Sequence, residues 1–529
     1  MARDLGPLSQ TSFDLLVIGG GIHGLFAARE AALRGLRVAL VEAGDFGGGL
    51  SFNHQRTVHG GLRALQSGQI AKTRQQIAER RRWALMAPGC VRPLPFVVGT
   101  YRSGARTRAR IALGLRVYDA IGFDRNKGLP AALHLPASQV IGPDEVEARL
   151  PGINREGLTG AGVWCDYQVT HPDRLNWLVA RAAIEAGAVL ANYAEAIGPL
   201  REQSRITGAV VRDVVSGAEI NVSARMTLVC AGSGLRAVLS AYGLDDEVPP
   251  LLAAANLLLR QTPPPCALAA PGLSGRMLTM VPWAGRTLVG TFQSPSTVTP
   301  GDTFPLGVTA MLADANAAFP MLRATPGDVL LVHRGLTPAV VSREGADLLA
   351  EPRIIRHSAR GIEGILSLVG VKFTTARLAA KVALRAVSAA LGLPFDADLH
   401  TARLLPDADP VSVQDAFSGL DSPAPDVAAH LVDWYGPEAR RVWALALTRG
   451  LTSPLDGSAV IEAEIVAAVE DARAVRLADV VLRRTRLGGA GHPGNRALHQ
   501  AADVMAHALG WSEHERAREV DAVLDRYRV

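Results

Sequence analysis

Long apolar runs are missing from this chain of 529 residues. A membrane-crossing helix needs roughly 18 uninterrupted apolar residues, and no stretch reaches that length. The opening MARDLGPLSQTS has no hydrophobic segment of the signal-peptide kind, which predicts a cytoplasmic location. Cysteine is scarce as well. Cys90, Cys165, Cys230 and Cys266 are isolated and show no metal-ligand spacing. That excludes a disulfide framework, so the four read as reduced structural thiols and no metal site is expected. Repeats and low-complexity tracts are lacking too. The net charge is only +5. It suits an anionic substrate and cofactor, or attraction to an anionic membrane, and does not call for nucleic acid. The remaining composition, 48% hydrophobic and 20% charged, is that of a folded globular protein with room for two or three domains.

The most informative run is Asp14 to Glu42, DLLVIGGGIHGLFAAREAALRGLRVALVE. Asp14 to Ile18 is short, apolar and followed by glycine, as a buried parallel strand should be. Gly19, Gly21 and Gly24 form G-x-G-x-x-G. The first glycine allows a tight turn, the second lets the backbone approach a pyrophosphate, and the third lets the helix pack on the strand. A helix from about Ile22 to Arg34 would aim its N-terminal N–H groups at that pyrophosphate. After Gly35 a second strand ends at Glu42, placed to accept hydrogen bonds from a ribose diol. The acid argues against a 2′-phosphate, so these residues predict FAD or NAD rather than NADP.

Downstream, residues 44 to 63 form a glycine-rich polar loop suited to wrapping a diphosphate or a flavin ring. Lys72 to Ala87 predicts a helix whose Arg80-Arg81-Arg82 run reads as a solvated face. Residues 101 to 118 mix arginines with apolar residues and read as a surface helix or as a basic amphipathic segment at a membrane. His171 to Gly187 reads as a helix and Ala188 to Asn192 as a strand. Residues 206–213, 219–224 and 226–230 predict a β-meander, ending at Ala231-Gly232-Ser233, where a backbone can lie close to a cofactor. Residues 251 to 343 predict a substrate-covering sheet. Ile365 to Thr375 reads as a strand and glycine turn through Gly370, followed by a helix over 376–391. Residues 406–425 read as a linker by composition, and 426–529 as a helical domain.

These motifs align with one family. VIGGGIHG, VHGGLRAL, the Gly290-Thr291 turn, LSLVGVKFTTAR and the terminal IVAAVEDARAVRLADVVLRRTRLG together resemble flavin-dependent glycerol-3-phosphate dehydrogenases, within the glycine/D-amino-acid oxidase-like group. The resemblance implies an α/β fold: a Rossmann-like FAD-binding domain, an antiparallel-sheet substrate domain and a C-terminal helical domain. The implied domains are 1–405, with the substrate sheet mainly in 90–165 and 250–345, then the linker 406–425 and the helices 426–529. The implied chemistry is bound FAD and hydride transfer from a secondary alcohol, with electrons passed to quinone or another acceptor and a peripheral contact at the inner face of the membrane. By resemblance, Gly19, Gly21, Gly24, Glu42, Ser51, Gly232, Gly370, Lys372, Thr374 and Thr375 bind the cofactor. Lys372, His59, Arg63 and Arg356 form the catalytic and substrate-binding set, facing a small anionic substrate.

Three positions depart from the family pattern: Ala64 where it has tyrosine, Asn256 where it has histidine, and Thr337 where it has a substrate-binding arginine. Arg334 or Arg343 would then compensate for the missing cation, and His54, His333 and His357 join His59 as alternatives for the base. Three readings follow. One is oxidation of glycerol 3-phosphate. A second is the same build acting on a different polyol phosphate, hydroxy acid or amine, and a third is a non-catalytic flavoprotein scaffold or sensor. The oligomeric state is not legible.

Overall fold

A computed structural model describes residues 3–529 apart from 103, 105, 151–155, 344 and 397–409. Phe13–Ile18 forms the central strand of the first sheet, with Val38–Val41 and then Val189–Ala191 to one side and Glu219–Val229 and Ile365–Val369 to the other. All these neighbours run parallel, and Arg353–Arg356 adds an antiparallel edge. Successive side chains of a strand point to opposite faces, and both faces are apolar here. Leu15, Val17, Val38 and Leu40 enter one core, while Leu16, Ile18, Ala39 and Val41 enter another. The first core lies under the helices Ile22–Ala32, Pro172–Glu185 and Ala376–Leu391, whose small buried residues Ala28, Ala31, Ala180, Ala183, Ala380 and Ala383 permit close packing. The α/β expectation holds, with mixed sheets and a C-terminal helical part.

The meander differs in one respect. Glu219–Val229 is a single strand rather than two, because no turn residue interrupts Ala224-Arg225-Met226. Its N-terminal half pairs antiparallel with Arg205–Asp213, and its C-terminal half joins the parallel sheet.

The second sheet has ten strands, from Gly345–Leu348 through Val329–Ser342, Leu251–Leu259, Arg286–Val298, Met277–Trp283, Ala267–Pro271, Val91–Tyr101 and Leu158–Val169 to Thr57–Val58, with Gln139–Ile141 beside Leu158–Val169. It is antiparallel except where Ala267–Pro271 meets Val91–Tyr101. Thr57–Val58, just past the nucleotide unit, is its last strand, so the polar loop that precedes it is stretched between the two sheets.

Two expectations need correction in the last third. Residues 406–409 of the expected linker lie outside the described residues, but Val413–Phe417 is a helix capped by Ser412, with Ala416 and Phe417 packed against Leu431, Trp434 and Val442. The proline-rich composition hid one turn's worth of apolar anchors. Nor is 426–529 helical throughout: residues 451–461 form a loop closed by a bridge between Pro454 and Ile461. The basic run is also mis-assigned in part. Arg80 is 1% exposed, held beneath the helix Ile70–Met86 by Asp166 and Tyr118.

Candidate functional site

A cavity of about 420 Å³ lies where the two sheets meet. One end is framed by Gly21, Glu42, Ser51 and Gly232, the other by Asn53, His54, Gln55, Asn256, Thr291 and Thr337. At the first end the glycines are required by space. Gly19 has φ 111°, and a Cβ there would stand 2.6 Å from the Cys230 carbonyl oxygen. A Cβ on Gly24 would overlap the Gly19 carbonyl itself. The backbone N–H of Gly20 donates to Glu42 Oε2 at 2.6 Å and that of Gly44 to Oε1 at 2.8 Å, so the carboxylate is fixed beside the turn. Burial raises the Glu42 pKa, opposed by those two donors. Ser51 Oγ accepts from the Ile22 N–H at 2.9 Å, tying the polar loop to the first turn of the helix.

This cradle fits FAD. A crowded glycine turn at the N-terminus of an eleven-residue helix suits a diphosphate, which the positive end of the helix attracts. The Glu42 carboxylate has lone pairs left for a ribose, and the buried Nε2 atoms of His23 and His54 have no partner within the protein.

The cationic residues stand beside this cavity rather than along its wall. Lys372 lies between Val371 and Phe373, both of which line it. Burial lowers the Lys372 pKa, Lys72 and Arg63 lower it further, and Glu351 opposes them. Lys72 is paired to the exposed Glu351 at 2.9 Å. Three cations and one carboxylate thus share a neighbourhood with an excess of positive charge. No lysine or arginine is among the lining residues themselves.

His59 is half-exposed and sits in the turn before Gly60-Gly61. Its Nδ1 lies 3.2 Å from Asp166 Oδ2 and its Nε2 lies 2.8 Å from Thr57 Oγ1. The His59 N–H donates to Thr374 Oγ1 at 3.2 Å, and the Thr374 carbonyl accepts from Trp83 Nε1 at 3.0 Å. Thr374 and Thr375 are buried, Thr375 directly before the helix Ala376–Leu391. They hold the turn that follows Gly370 but do not line the cavity.

Arg356 is not a lining residue. It pairs with Leu366, two residues before the cavity-lining Leu368 and four before Gly370, and its side chain is exposed. In the antiparallel register Arg353, opposite Val369, lies nearer that end of the strand. Arg334 lies over the Phe304 ring at 5.8 Å and Arg343 is exposed, so neither fills the gap left by Thr337. Ala64, on the short helix Leu62–Gln66, is not a lining residue.

Among the alternative bases, His333 is buried between Asn53 Oδ1 at 3.3 Å and Arg56 at 3.5 Å, and His357 is buried against Ser367 Oγ at 3.0 Å. His54 lines the cavity, its ring stacked 4.3 Å from Phe373. Burial, with Arg56 and His59 adding to it, pushes its pKa well down, so it is neutral. Its Nδ1 accepts the Arg56 backbone N–H at 3.1 Å, so the ring hydrogen is on Nε2 and the side chain offers a donor. Asn256 is held at both ends of its amide: its Nδ2 donates to the Asn53 carbonyl at 3.0 Å and its Oδ1 accepts from the Thr291 hydroxyl at 2.9 Å.

His23 was not anticipated. It occupies a variable position of the glycine motif, and burial lowers its pKa to about 4. Its ring packs on Gly370, where a Cβ would stand 2.5 Å away. Only that long-range contact marks it, and no local pattern carries the signal.

Residues 14–385 match the family described as FAD dependent oxidoreductase, and residues 397–516 match the C-terminal domain of alpha-glycerophosphate oxidase. The glycerol-3-phosphate dehydrogenase of Synechocystis sp. is 26% identical, over 98% of this chain and 97% of its own. The mitochondrial glycerol-3-phosphate dehydrogenase of Rattus norvegicus is 29% identical, over 98% of this chain and 73% of its own. Among solved structures, a glycerol-3-phosphate dehydrogenase from Bacillus halodurans complexed with FAD superposes with a TM-score of 0.74 at 22% identity, covering 99% of this chain and 96% of that one.

Proposed function

The chain belongs to the FAD dependent oxidoreductase family, and from that premise we propose that it oxidises the secondary alcohol of glycerol 3-phosphate to dihydroxyacetone phosphate and passes the electrons to quinone. The supporting observation is the cationic cluster of Lys372, Lys72 and Arg63 next to the lining residues Val371 and Phe373. A phosphate dianion held there is neutralised by charge-assisted contacts. FAD, when bound, supplies the hydride acceptor. Lys372 then stabilises negative charge as it develops on the substrate oxygen. His54 donates from Nε2 and orients the polar end of the substrate. The Asp166 carboxylate opposite Nδ1 requires the His59 hydrogen there, and the Nε2 lone pair is taken by the Thr57 hydroxyl at 2.8 Å, so His59 accepts a proton by way of Thr57.

A second reading keeps the reaction type and changes the substrate. The cavity wall carries amides, hydroxyls and imidazoles, with Asn256 and Thr337 on the sheet face. This favours a larger polyol phosphate, a hydroxy acid or an amine whose charge lies outside the cavity. Anaerobic mixing with glycerol 3-phosphate separates the two, since bleaching of the bound flavin is expected under the first reading. Bleaching only by other alcohols or amines selects the second, and no bleaching by any of them leaves the scaffold.

Electron transfer to quinone calls for contact with a bilayer. Among the described residues no helix is long and apolar enough to cross a membrane. The helix Arg108–Ile121 and the turn after it instead expose Leu113, Val117 and Phe123 beside Arg108, Arg110, Arg116 and Lys127. Apolar side chains ringed by cations suit the anionic inner face of a cell membrane. Sedimentation with anionic but not neutral liposomes is the expected result, and no binding to either removes the membrane assignment.

A further inference from the structure

The loop from Asp45 to Ser51 frames the nucleotide end of the cavity, and it is held from three sides. Gly47 donates its N–H to the Gly20 carbonyl at 2.9 Å, which couples the loop to the glycine turn. The helix Pro172–Glu185 supports it from beneath: Phe46 stacks on Trp177 at 6.4 Å, and Asn176 Nδ2 donates to the Ser51 carbonyl at 3.2 Å. The third side comes from the C-terminal unit. Val480–Arg484 is a π-helical turn, a geometry that clusters at functional positions. Arg484 grips Asp45 with two bonds, Nη2 to Oδ1 at 2.6 Å and Nη1 to Oδ2 at 3.0 Å, and Arg483 Nε adds a third at 2.7 Å. Arg483 reaches back to Asp479 at 2.6 Å, and Asp479 accepts from the Tyr193 hydroxyl at 2.7 Å. The side chains of Asp45 and Asp479 have no exposed surface.

We infer that the C-terminal helical unit is part of the cofactor-holding apparatus, with Arg483 and Arg484 acting as positioning residues that lock the Asp45–Ser51 loop around FAD. The two arginines touch neither the cavity nor the substrate. Their effect passes through Asp45 to Gly47 and Gly20, and so to the turn whose N–H groups receive the diphosphate. Because coupling between two binding events is reciprocal, FAD bound at the glycine turn tightens the docking of the helical unit, and an undocked unit weakens FAD. The inference rests on FAD occupying this cradle and not on the identity of the substrate.

Two measurements test it. The first is hydrogen exchange of the full native chain with FAD and after its removal. Bound FAD should slow exchange in Glu462–Glu470 and Asn495–Leu509, neither of which lines the cavity, as well as in Ile22–Ala32. Slowing confined to Ile22–Ala32 overturns the inference, and this experiment needs no variant to fold. The second is FAD affinity, read from flavin fluorescence, for Arg484→Met, Arg483→Met and Asp45→Asn. A loss of about tenfold or more is expected for each, with partial recovery in Arg484→Lys, which keeps the charge but cannot make the bidentate pair. In Arg484→Met the FAD-dependent slowing should vanish from the C-terminal helices and persist in Ile22–Ala32. A merely structural arginine would lower stability and leave FAD affinity and the exchange pattern as in the native chain, and that result also refutes the proposal.

Discussion

Asp166 and Arg80 form a buried ion pair directly behind His59. The same carboxylate serves four groups: Oδ1 takes Arg80 and the Gly60 N–H at 2.8 Å, and Oδ2 faces His59 Nδ1 at 3.2 Å and accepts from Trp164 Nε1 at 3.3 Å. Burial alone would raise the Asp166 pKa, but Arg80 and then His59 outweigh it, and the carboxyl titrates below its usual range. Asp166→Asn leaves Arg80 charged and buried without its partner. The expected cost is about 3–5 kcal/mol of stability, read by denaturant unfolding, with flavin reduction slowed because His59 loses the group that fixes its tautomer. Unchanged stability would show that Arg80 finds another acceptor.

Substrate charge recognition should be separable from chemistry. Lys372→Met and Arg63→Met each remove one cation from the cluster beside the cavity, at about 1.5–3 kcal/mol per charged hydrogen bond lost. At Arg63 the loss should appear as a KM for glycerol 3-phosphate raised about ten- to hundredfold with kcat little changed, since Arg63 is an exposed helix residue. At Lys372 both parameters should worsen. Arg356→Met should leave both untouched, and a strong effect there would mean the exposed arginine folds back onto the site.

Asp173 offers a pH test. It lies in the first turn of the helix Pro172–Glu185 and is 4% exposed, and burial raises its pKa to about 6 despite Arg56, Arg483 and Arg484. A carboxyl whose folded pKa exceeds its unfolded value stabilises the fold below the unfolded value, and the contribution disappears as pH rises through the folded one. Its contribution is therefore complete below about pH 4 and gone above pH 6. Asp173→Asn should flatten the stability profile between those limits by an amount on the order of 3 kcal/mol or less. A difference between native and variant that does not change with pH would rule out Asp173 as the titrating group.

Two glycines should differ sharply. Gly24→Ala places a methyl into the Gly19 carbonyl, and FAD binding should be lost with much of the stability. Gly114, inside the helix Arg108–Ile121 and not a lining residue, has nothing within 4 Å of its hypothetical Cβ. Gly114→Ala should retain FAD and melt no lower than the native chain, since alanine is the better helix former by about 0.5–1 kcal/mol.

What could be read from the sequence was local. The strand, glycine turn, helix and acid from Phe13 to Glu42 are specified by neighbours in the chain, and they appear where expected. So does the helix Ala376–Leu391. The errors are at residues whose environment is supplied from far away. Arg80 looked solvated because its partner Asp166 arrives on the strand Leu158–Val169, 86 residues later. Arg356 was marked by resemblance alone, which says nothing of its exposed place on the edge strand opposite Leu366. His23 is buried by Gly370, a contact no periodicity can announce. The departures Asn256 and Thr337 were legible, and both line the cavity, whereas Ala64 was legible but does not.

The order of the parallel strands has a consequence for synthesis. The glycine turn leaves the ribosome first, yet its sheet is completed by Glu219–Val229 and Ile365–Val369, and the helix Ala376–Leu391 covers the same core as Ile22–Ala32. Gly370, which closes the crevice over His23, lies 347 residues beyond it. Closing contacts of such separation is slow and comes late. A nascent chain halted short of Gly370 carries the whole nucleotide motif and still has no pocket for the nucleotide, so flavin capture marks the moment at which the first and last strands of the sheet have met.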